Sequence, residues 1–216
     1  MFEAVVFDID GLLLDTEATW TRAEKALFAR HGRAFTMDHK RELLGTSFAA
    51  SAAMLERMLD RPGAGDELMD ELHALVMEEA LQGVASRPGA LDLVAALRAA
   101  GRSLGLASNS SREFVDRVLG VSELLDGPFD AVVSADDVAQ PKPAPDLYLA
   151  ACAALAAEPR RSAALEDSAP GVASAAAAGL FVIGVPYFPG TPLPGASLAA
   201  SSLAEPRVAA ALGLNS

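Results

Sequence analysis

Apolar residues in this chain fall into short continuous runs and longer runs with helical periodicity. Ala4 to Phe7 is the first short run. Comparable strand-like runs follow at residues 103–107, 131–134, 163–165 and 180–185. Segments such as "SSREFVDRVLG", "PDLYLAACAALA" and "APGVASAAAAG" lie between them and are typical of helices. Short apolar strands that alternate with helices predict an α/β fold, with a parallel sheet covered on both faces.

A long helical region separates the first predicted strand from the others. Between about Thr16 and Gln82, apolar residues such as Trp20, Ala23 and Leu27 recur at three- and four-residue intervals, the period of amphipathic helices. "DRPGAGDE" at residues 60–67 marks a turn within it. We therefore predict a core formed by residues 1–15 and 88–216, interrupted by a helical insertion at residues 16–87.

Two of the predicted helices begin with polar residues that could cap them. In "SSREFVDRVLG" the spacing of Ser110 and Glu113 predicts a capping box, and either Ser110 or Ser111 could be the capping residue. Before "APGVASAAAAG", either Glu166 or Asp167 could be the N-cap residue. Two consecutive acids cannot both cap one helix, so the other acid needs a different role.

Charge and cysteine content exclude several classes of function. The 216 residues carry a net charge of −12, so we expect no binding to nucleic acid or to an acidic membrane surface. An anionic substrate would need a metal ion, one well-placed cation or helix amides. Cys152 is the single cysteine, which excludes an intramolecular disulfide and favours a cytoplasmic location. The sequence leaves the oligomeric state open, and a monomer is compatible with it.

The sequence predicts neither a signal peptide nor a membrane span. The first strand begins at Ala4 without a basic leader before it, so we expect no signal peptide. Residues 168–204 contain no charged side chain. Because prolines and glycines interrupt that stretch, it predicts a buried helix, a buried strand and a loop rather than a membrane span.

Polar residues follow the predicted strands at the positions where each strand ends. They are Asp8 and Asp10, then Ser108 and Asn109, then Lys142, then Glu166 and Asp167. Ligands of open parallel sheets bind outside the carboxyl ends of the strands. A nucleophile, oxygen clamps, a counter-charge and a hard-cation site are the parts needed to handle a phosphoryl group. Mg²⁺ is the expected cation because it prefers oxygen ligands and substrate phosphates.

Asp8 and Lys142 each have an alternative, purely structural interpretation. Asp8 and Asp10 point to the same side of an extended chain, although solvated loop acids have the same pattern. Lys142 is one of three lysines, against fourteen arginines, which indicates a need for a compact ammonium group. It could also be an ordinary surface lysine. The three histidines, all in the insertion, are interpreted as surface or packing residues.

Four motifs together resemble those of the haloacid dehalogenase superfamily of phosphotransferases. "DIDG", "SNSS", "KPAPD" and "EDSAPGVASAAAAG" occur in the family's order and extend over nearly the whole chain. The resemblance implies a Rossmann-like parallel-sheet core with a small α-helical cap domain at residues 16–87. The insertion is similar to the cap of the branch that holds β-phosphoglucomutase, phosphoglycolate phosphatase and sugar-phosphate phosphatases.

The resemblance also implies roles for the strand-end residues. Asp8 would attack phosphorus, and Asp10 would act as general acid and base. Ser108 and Lys142 would hold the phosphoryl oxygens, with Asn109 beside them. The implied Mg²⁺ ligands are Asp8, the Asp10 main-chain carbonyl and Asp167, with Glu166 as a further ligand or a neighbour. Trp20 would stack on a sugar or anchor the cap helix, and the "LLGTSFAAS" stretch would contribute to substrate choice.

Three functions are compatible with this resemblance. The first is an Mg²⁺-dependent phosphatase of a small phosphorylated metabolite, and the second is a phosphomutase. The third is a catalytically idle binding module, which the intact acids at positions 8, 10 and 167 disfavour. The mutases that the chain resembles have a cap arginine and a cap histidine where this chain has Phe48 and Trp20. The phosphatase is therefore the favoured prediction.

Overall fold

A computed structural model describes residues 2–44, 46, 48–125 and 127–214. It contains one sheet in which every pairing is parallel and the strand order is β3-β2-β1-β4-β5-β6. The strands are β1 Ala4–Phe7, β2 Ser103–Ala107, β3 Ala131–Val133, β4 Ser162–Glu166, β5 Phe181–Gly184 and β6 Leu198–Ala199. This architecture confirms the predicted α/β fold.

Strand β1 lies in the middle of the sheet and is buried on both faces. Ala4 pairs with Ser103 of β2 on one side and with Ser162 of β4 on the other. Val5 and Phe7 belong to one hydrophobic cluster, and Val6 belongs to the cluster on the opposite face. Side chains alternate between the faces of a strand, so a strand covered twice requires an unbroken apolar run. The carboxyl end of β1 therefore lies between those of β2 and β4, near the middle of the edge at which the parallel strands end.

Helices cover both faces and fill the connection between β1 and β2. That connection holds α1 Thr16–Arg30, α2 Met37–Leu43, α3 Phe48–Leu59 and α4 Gly65–Ala80. The later helices are α5 Ala90–Ala99, α6 Arg112–Gly120, α7 Asp146–Ala154, α8 Ala169–Ala178 and α9 Pro206–Ala211. Helix α4 packs against α1 and α3. None of the described helices is long and apolar enough to cross a membrane.

The two segments that join the insertion to the sheet run side by side. The Asp15 amide donates to the Ala85 carbonyl at 2.8 Å, and the Arg87 amide donates to the Leu13 carbonyl at 2.8 Å. Tyr187, from the loop after β5, donates to Asp15 Oδ1 at 2.9 Å. The Arg87 guanidinium lies 4.7 Å from the centre of the Tyr187 ring. This loop therefore contacts both connecting segments.

Several elements differ from the sequence-based expectations. The turn predicted at residues 60–67 is shorter, because α4 begins at Gly65. Strand β6 and helix α9 were not predicted; β6 has two residues and α9 has six, too few to show a periodicity. The predicted Ser110–Glu113 capping box is wrong, because the alternative residue, Ser111, caps α6 by accepting from the Phe114 amide. An acid does not cap α8 either, since Ser168 does so by accepting from the Gly171 amide.

Candidate active site

The first part of the site is the turn that follows β1. Ile9 is fully buried in the core, and Asp8 is 5% exposed. Gly11 has a φ of +76°, and a Cβ atom there would lie 2.4 Å from Asp167 Oδ2. Glycine at this position is thus required twice, by the left-handed backbone and by the close approach of Asp167.

Lys142 lies between the carboxylates of Asp8 and Glu166. Its Nζ atom is 2.6 Å from Asp8 Oδ1 and 2.5 Å from Glu166 Oε1, and its side chain is 3% exposed. Burial alone would lower the pKa of Lys142, but the two neighbouring carboxylates outweigh burial and raise it. Lys142 therefore remains a permanent cation beside Asp8. The burial of its side chain excludes the alternative of a surface lysine.

Glu166 is held in place by several donors. Tyr148 from α7 donates to Glu166 Oε1 at 2.6 Å, and Ser168 donates to Glu166 Oε2 at 3.3 Å. A Cβ atom on Gly171 would lie 2.0 Å from the Glu166 carboxyl group, so the first turn of α8 fits over this acid only with glycine. Sequence reasoning missed Tyr148, whose one signal was a phenol among the apolar residues that follow Asp146 in α7.

Asn109 positions the loop that carries Lys142. The Lys142 amide donates to Asn109 Oδ1 at 2.7 Å, and Asn109 Nδ2 donates to the Lys142 carbonyl at 3.3 Å. These two bonds resemble a pair of sheet hydrogen bonds and fix the Lys142 backbone against the end of β2. The structure thus places Asn109 next to the predicted phosphoryl site with its amide engaged by the protein.

Asp10 is held by two hydroxyl groups from the segment after β2. Ser108 Oγ donates to Asp10 Oδ2 at 2.9 Å, and Ser110 Oγ donates to the same atom at 2.8 Å. The Ser110 amide in turn donates to Ser108 Oγ at 3.0 Å. Ser110 is available for Asp10 because Ser111 caps α6. Both serines therefore orient the Asp10 carboxylate.

Asp8, Glu166 and Asp167 form a buried group of carboxylates that could hold a cation. One oxygen from each lies within 4.8 Å of the others. Burial raises the pKa of Asp8 and of Asp167 well above the usual range. Lys142 supplies one positive charge against three carboxylates, so a divalent cation would balance the group. Asp8 Oδ2 accepts no hydrogen bond from the described residues, and an all-oxygen donor set fits Mg²⁺.

A cavity of about 420 Å³ connects this centre with the inserted helices. Trp20 lines the cavity and packs against Phe114 of α6, with ring centroids 5.4 Å apart. His73 also lines it; its side chain is 37% exposed, so it is a surface residue that faces the cavity. Within the predicted "LLGTSFAAS" stretch, Gly45 and Ser47 lie outside the described residues. The described cavity-lining members of that stretch are Leu43, Leu44, Thr46, Phe48 and Ser51.

Comparison with known proteins identifies the family. The model of the haloacid dehalogenase-like hydrolases matches residues 2–179. The chain belongs to this hydrolase family. It is 33% identical to protein CbbY of Rhodobacter capsulatus over 193 residues, which is 85% of each chain. It is also 33% identical to hexitol phosphatase B of Escherichia coli over 187 residues, covering 85% of this chain and 83% of that one.

A solved structure extends the likeness to three dimensions. CbbY from Rhodobacter sphaeroides, crystallised with xylulose-(1,5)-bisphosphate, superposes with a TM-score of 0.81 at 31% identity. The match covers 95% of this chain and 96% of that chain. Sheet and inserted helices are thus both shared with this family member.

On the side of the inserted helices, this hydrolase buries a second ion-pair cluster. Lys40 Nζ lies 2.6 Å from Glu17 Oε2 and 3.2 Å from Glu24 Oε2. The side chains of Lys40, Glu17 and Glu24 are 3%, 10% and 4% exposed. Burial raises the pKa of Glu24 to about 7, with Lys40 opposing that rise and Glu17 adding to it. The cluster therefore contains one more carboxylate than it has ammonium groups.

The raised pKa of Glu24 makes the stability of the protein depend on pH. Because the folded state holds this proton more tightly than the unfolded state, stability is lost as pH rises from 4.5 towards 7. Full ionisation of Glu24 therefore lowers the free energy of unfolding by roughly 3 kcal/mol at most. We expect Glu24→Gln to gain about 1–3 kcal/mol over the parent between about pH 5 and pH 8, because glutamine never ionises.

Urea unfolding of both proteins at several pH values measures this difference. Glu78→Gln, an exposed change in the same group of helices, is the control and should leave the pH dependence unchanged. A Glu24→Gln variant whose stability runs parallel to that of the parent across this range would contradict the raised pKa.

Proposed function

We propose that the protein is an Mg²⁺-dependent phosphatase that hydrolyses a small phosphomonoester, such as a sugar phosphate, through an aspartyl-phosphate intermediate. The observation that carries the proposal is the set formed by Asp8, Lys142 and Asp10 at the carboxyl end of β1. Asp8 is a buried carboxylate paired with a fixed ammonium, and Asp10 is a second carboxylate oriented by hydroxyl groups. A nucleophile and a separate acid–base group are what a two-step phosphoryl transfer requires.

In the first step Asp8 Oδ attacks phosphorus while the bond to the leaving alcohol breaks. Lys142 holds one phosphoryl oxygen, and Ser108 turns its hydroxyl from Asp10 to another. Asp10, protonated and still held by Ser110, gives its proton to the leaving oxygen. In the second step Asp10 takes a proton from water as that water attacks phosphorus. Phosphate leaves, and Asp8 is restored as a carboxylate. Ser110 keeps Asp10 in the orientation that both proton transfers need.

Asp8, the Asp10 main-chain carbonyl and Asp167 would hold the Mg²⁺ ion. When bound, it balances the buried carboxylates and the charge of the phosphoryl group. Glu166 already accepts hydrogen bonds from Lys142, Tyr148 and Ser168. We therefore assign Glu166 the role of fixing Lys142 and place it beside the metal ligands rather than among them.

We further propose that residues 16–87 act as a cap over a core formed by residues 1–15 and 88–216. The cavity lies between them, and the paired connecting segments at Asp15 and Arg87 are the natural hinge. Closure would exclude water during the first step. Trp20 would border the leaving group while its contact with Phe114 holds the closed arrangement. The proposed partner is a small phosphorylated metabolite in the cytoplasm.

Phosphate release from p-nitrophenyl phosphate in excess Mg²⁺ tests this function. We expect turnover that stops when EDTA removes the metal and returns when Mg²⁺ is restored. Absence of turnover at any Mg²⁺ concentration would contradict the proposal and favour an idle binding module.

A phosphomutase is the second candidate, and the cation positions argue against it. A mutase must hold a second phosphate away from the catalytic centre. The arginines that could replace the mutases' cap arginine, Arg22 and Arg41, are exposed and paired with Glu79 and Asp38. Phe48, at the position of that arginine, is 56% exposed.

We expect phosphate release from a monophosphate without stimulation by a sugar bisphosphate. Incubation with β-glucose 1-phosphate, followed by separate assays for phosphate and glucose 6-phosphate, measures the two outcomes. Formation of glucose 6-phosphate faster than phosphate would make the protein a mutase.

A further inference from the structure

We infer that Glu17, positioned by Lys40, accepts a hydrogen bond from a hydroxyl group of the substrate's leaving alcohol, so that the substrate is a monophosphate of a neutral sugar or polyol without a second anionic group. This inference rests on the proposed phosphatase function and assigns the residue that selects its leaving group.

Glu17 lies where a leaving group must pass. Although Glu17 belongs to the first turn of α1, it reaches the catalytic centre: a Cβ atom on Gly11 would lie 3.3 Å from Glu17 Cγ and 2.4 Å from Asp167 Oδ2. Glu17 and Asp167 both line the cavity that begins at Asp8 and extends to the cap. A substrate whose phosphoryl group contacts Asp8 and Lys142 therefore brings its next carbon atoms close to Glu17.

The Glu17 carboxylate has capacity for a further donor. Glu17 is 8% exposed, and its Oε2 lies 2.6 Å from Lys40 Nζ. That contact is a charge-assisted ion pair, and it occupies only one of the positions at which the two carboxylate oxygens can accept a hydrogen bond. Because Glu17 lines the cavity and an ionised carboxylate can accept about four hydrogen bonds, a hydroxyl group of the substrate can donate to it beside Lys40.

The charge around Glu17 disfavours a second anion on the substrate. The described residues on the cap side of the cavity include three acids, Glu17, Glu24 and Asp70, and two basic residues, Lys40 and His73. The Lys40 ammonium is already shared between two carboxylates. A second phosphate or a carboxylate on the substrate would therefore meet a net negative charge. Like charges in a buried site repel strongly.

Paired substrates that differ by one phosphate test this selection. We expect a higher kcat/KM for xylulose 5-phosphate than for xylulose 1,5-bisphosphate. p-Nitrophenyl phosphate, whose leaving group has no further hydroxyl, serves as the reference substrate in the same assays.

Two substitutions at Glu17 separate the hydroxyl contact from folding. Glu17→Met removes the acceptor and leaves Lys40 paired with Glu24. It should lower kcat/KM for xylulose 5-phosphate, relative to p-nitrophenyl phosphate, by about tenfold or more. Glu17→Gln keeps an uncharged acceptor and should recover part of the loss. Glu71→Gln is the control, because Glu71 contacts His31 and Arg30 away from the cavity, and it should change neither substrate.

The outcomes distinguish this inference from the function on which it rests. An unchanged substrate ratio in both Glu17 variants, or a parent enzyme that prefers the bisphosphate, overturns the role of Glu17 while leaving a phosphatase. If the parent enzyme releases phosphate from none of the three substrates, the proposed phosphatase function itself is overturned. If the Met variant does not fold, the Gln variant alone must show a reduced ratio, and an unchanged ratio there overturns the inference.

Discussion

Asp8→Asn should abolish turnover and leave the fold intact. Asparagine has the shape of aspartate, but its amide cannot attack phosphorus or balance Lys142. Loss of a nucleophile of this kind lowers kcat by about 10⁴-fold or more. Lys142 would keep Glu166 as its partner, so the pocket retains one of its two ion pairs.

Steady-state phosphate release from p-nitrophenyl phosphate, with thermal unfolding alongside, measures both parts of this prediction. Asp116→Asn on α6, an exposed aspartate, provides the matched control and should remain fully active. An Asp8→Asn variant that retained more than a few per cent of parental activity would remove Asp8 from the role of nucleophile.

Asp10→Asn should also be nearly inactive, but for a different reason and with different kinetics. The Ser108 and Ser110 hydroxyls can still donate to an asparagine oxygen, so the side chain stays in place. It can neither protonate the leaving alcohol nor accept a proton from water, and general acid–base groups typically contribute about 10²–10⁴-fold.

The leaving group separates the two steps in this variant. p-Nitrophenolate needs no proton to depart, so Asp10→Asn should release about one equivalent of it per enzyme in a rapid burst. Slow turnover follows, because hydrolysis of phospho-Asp8 still needs a base. Stopped-flow absorbance records the burst. Linear release without a burst, at a rate close to that of the parent, would show that Asp10 transfers no proton in either step.

The strand-end residues could be predicted because parallel strands bring their carboxyl ends to one edge. Asp8, Ser108 and Glu166 lie on three adjacent strands or directly after them, so their proximity follows from the topology alone. Lys142 could be identified because lysine is rare in this chain. The roles of these residues remain predictions for the experiments above.

Other parts of the site depend on packing that a linear pattern does not contain. Tyr148 meets Glu166 only because α7 packs on the sheet with that face inward. Ser110 could cap α6 or bind Asp10, and local spacing cannot decide between these two uses. The pairing of Lys40 with Glu17 joins α2 to α1 within the inserted helices. Each of these contacts requires the tertiary structure.

Mass spectrometry of the acid-quenched enzyme tests the covalent mechanism most directly. Excess substrate is mixed with the Mg²⁺-loaded enzyme, acid stops the reaction during turnover, and peptides are analysed without exposure to base. The mechanism predicts one added phosphoryl group on the peptide that contains Asp8, with a larger fraction in Asp10→Asn and none in Asp8→Asn. Turnover with no phosphorylated peptide in the parent or in Asp10→Asn, or with the phosphoryl group on another residue, would contradict it.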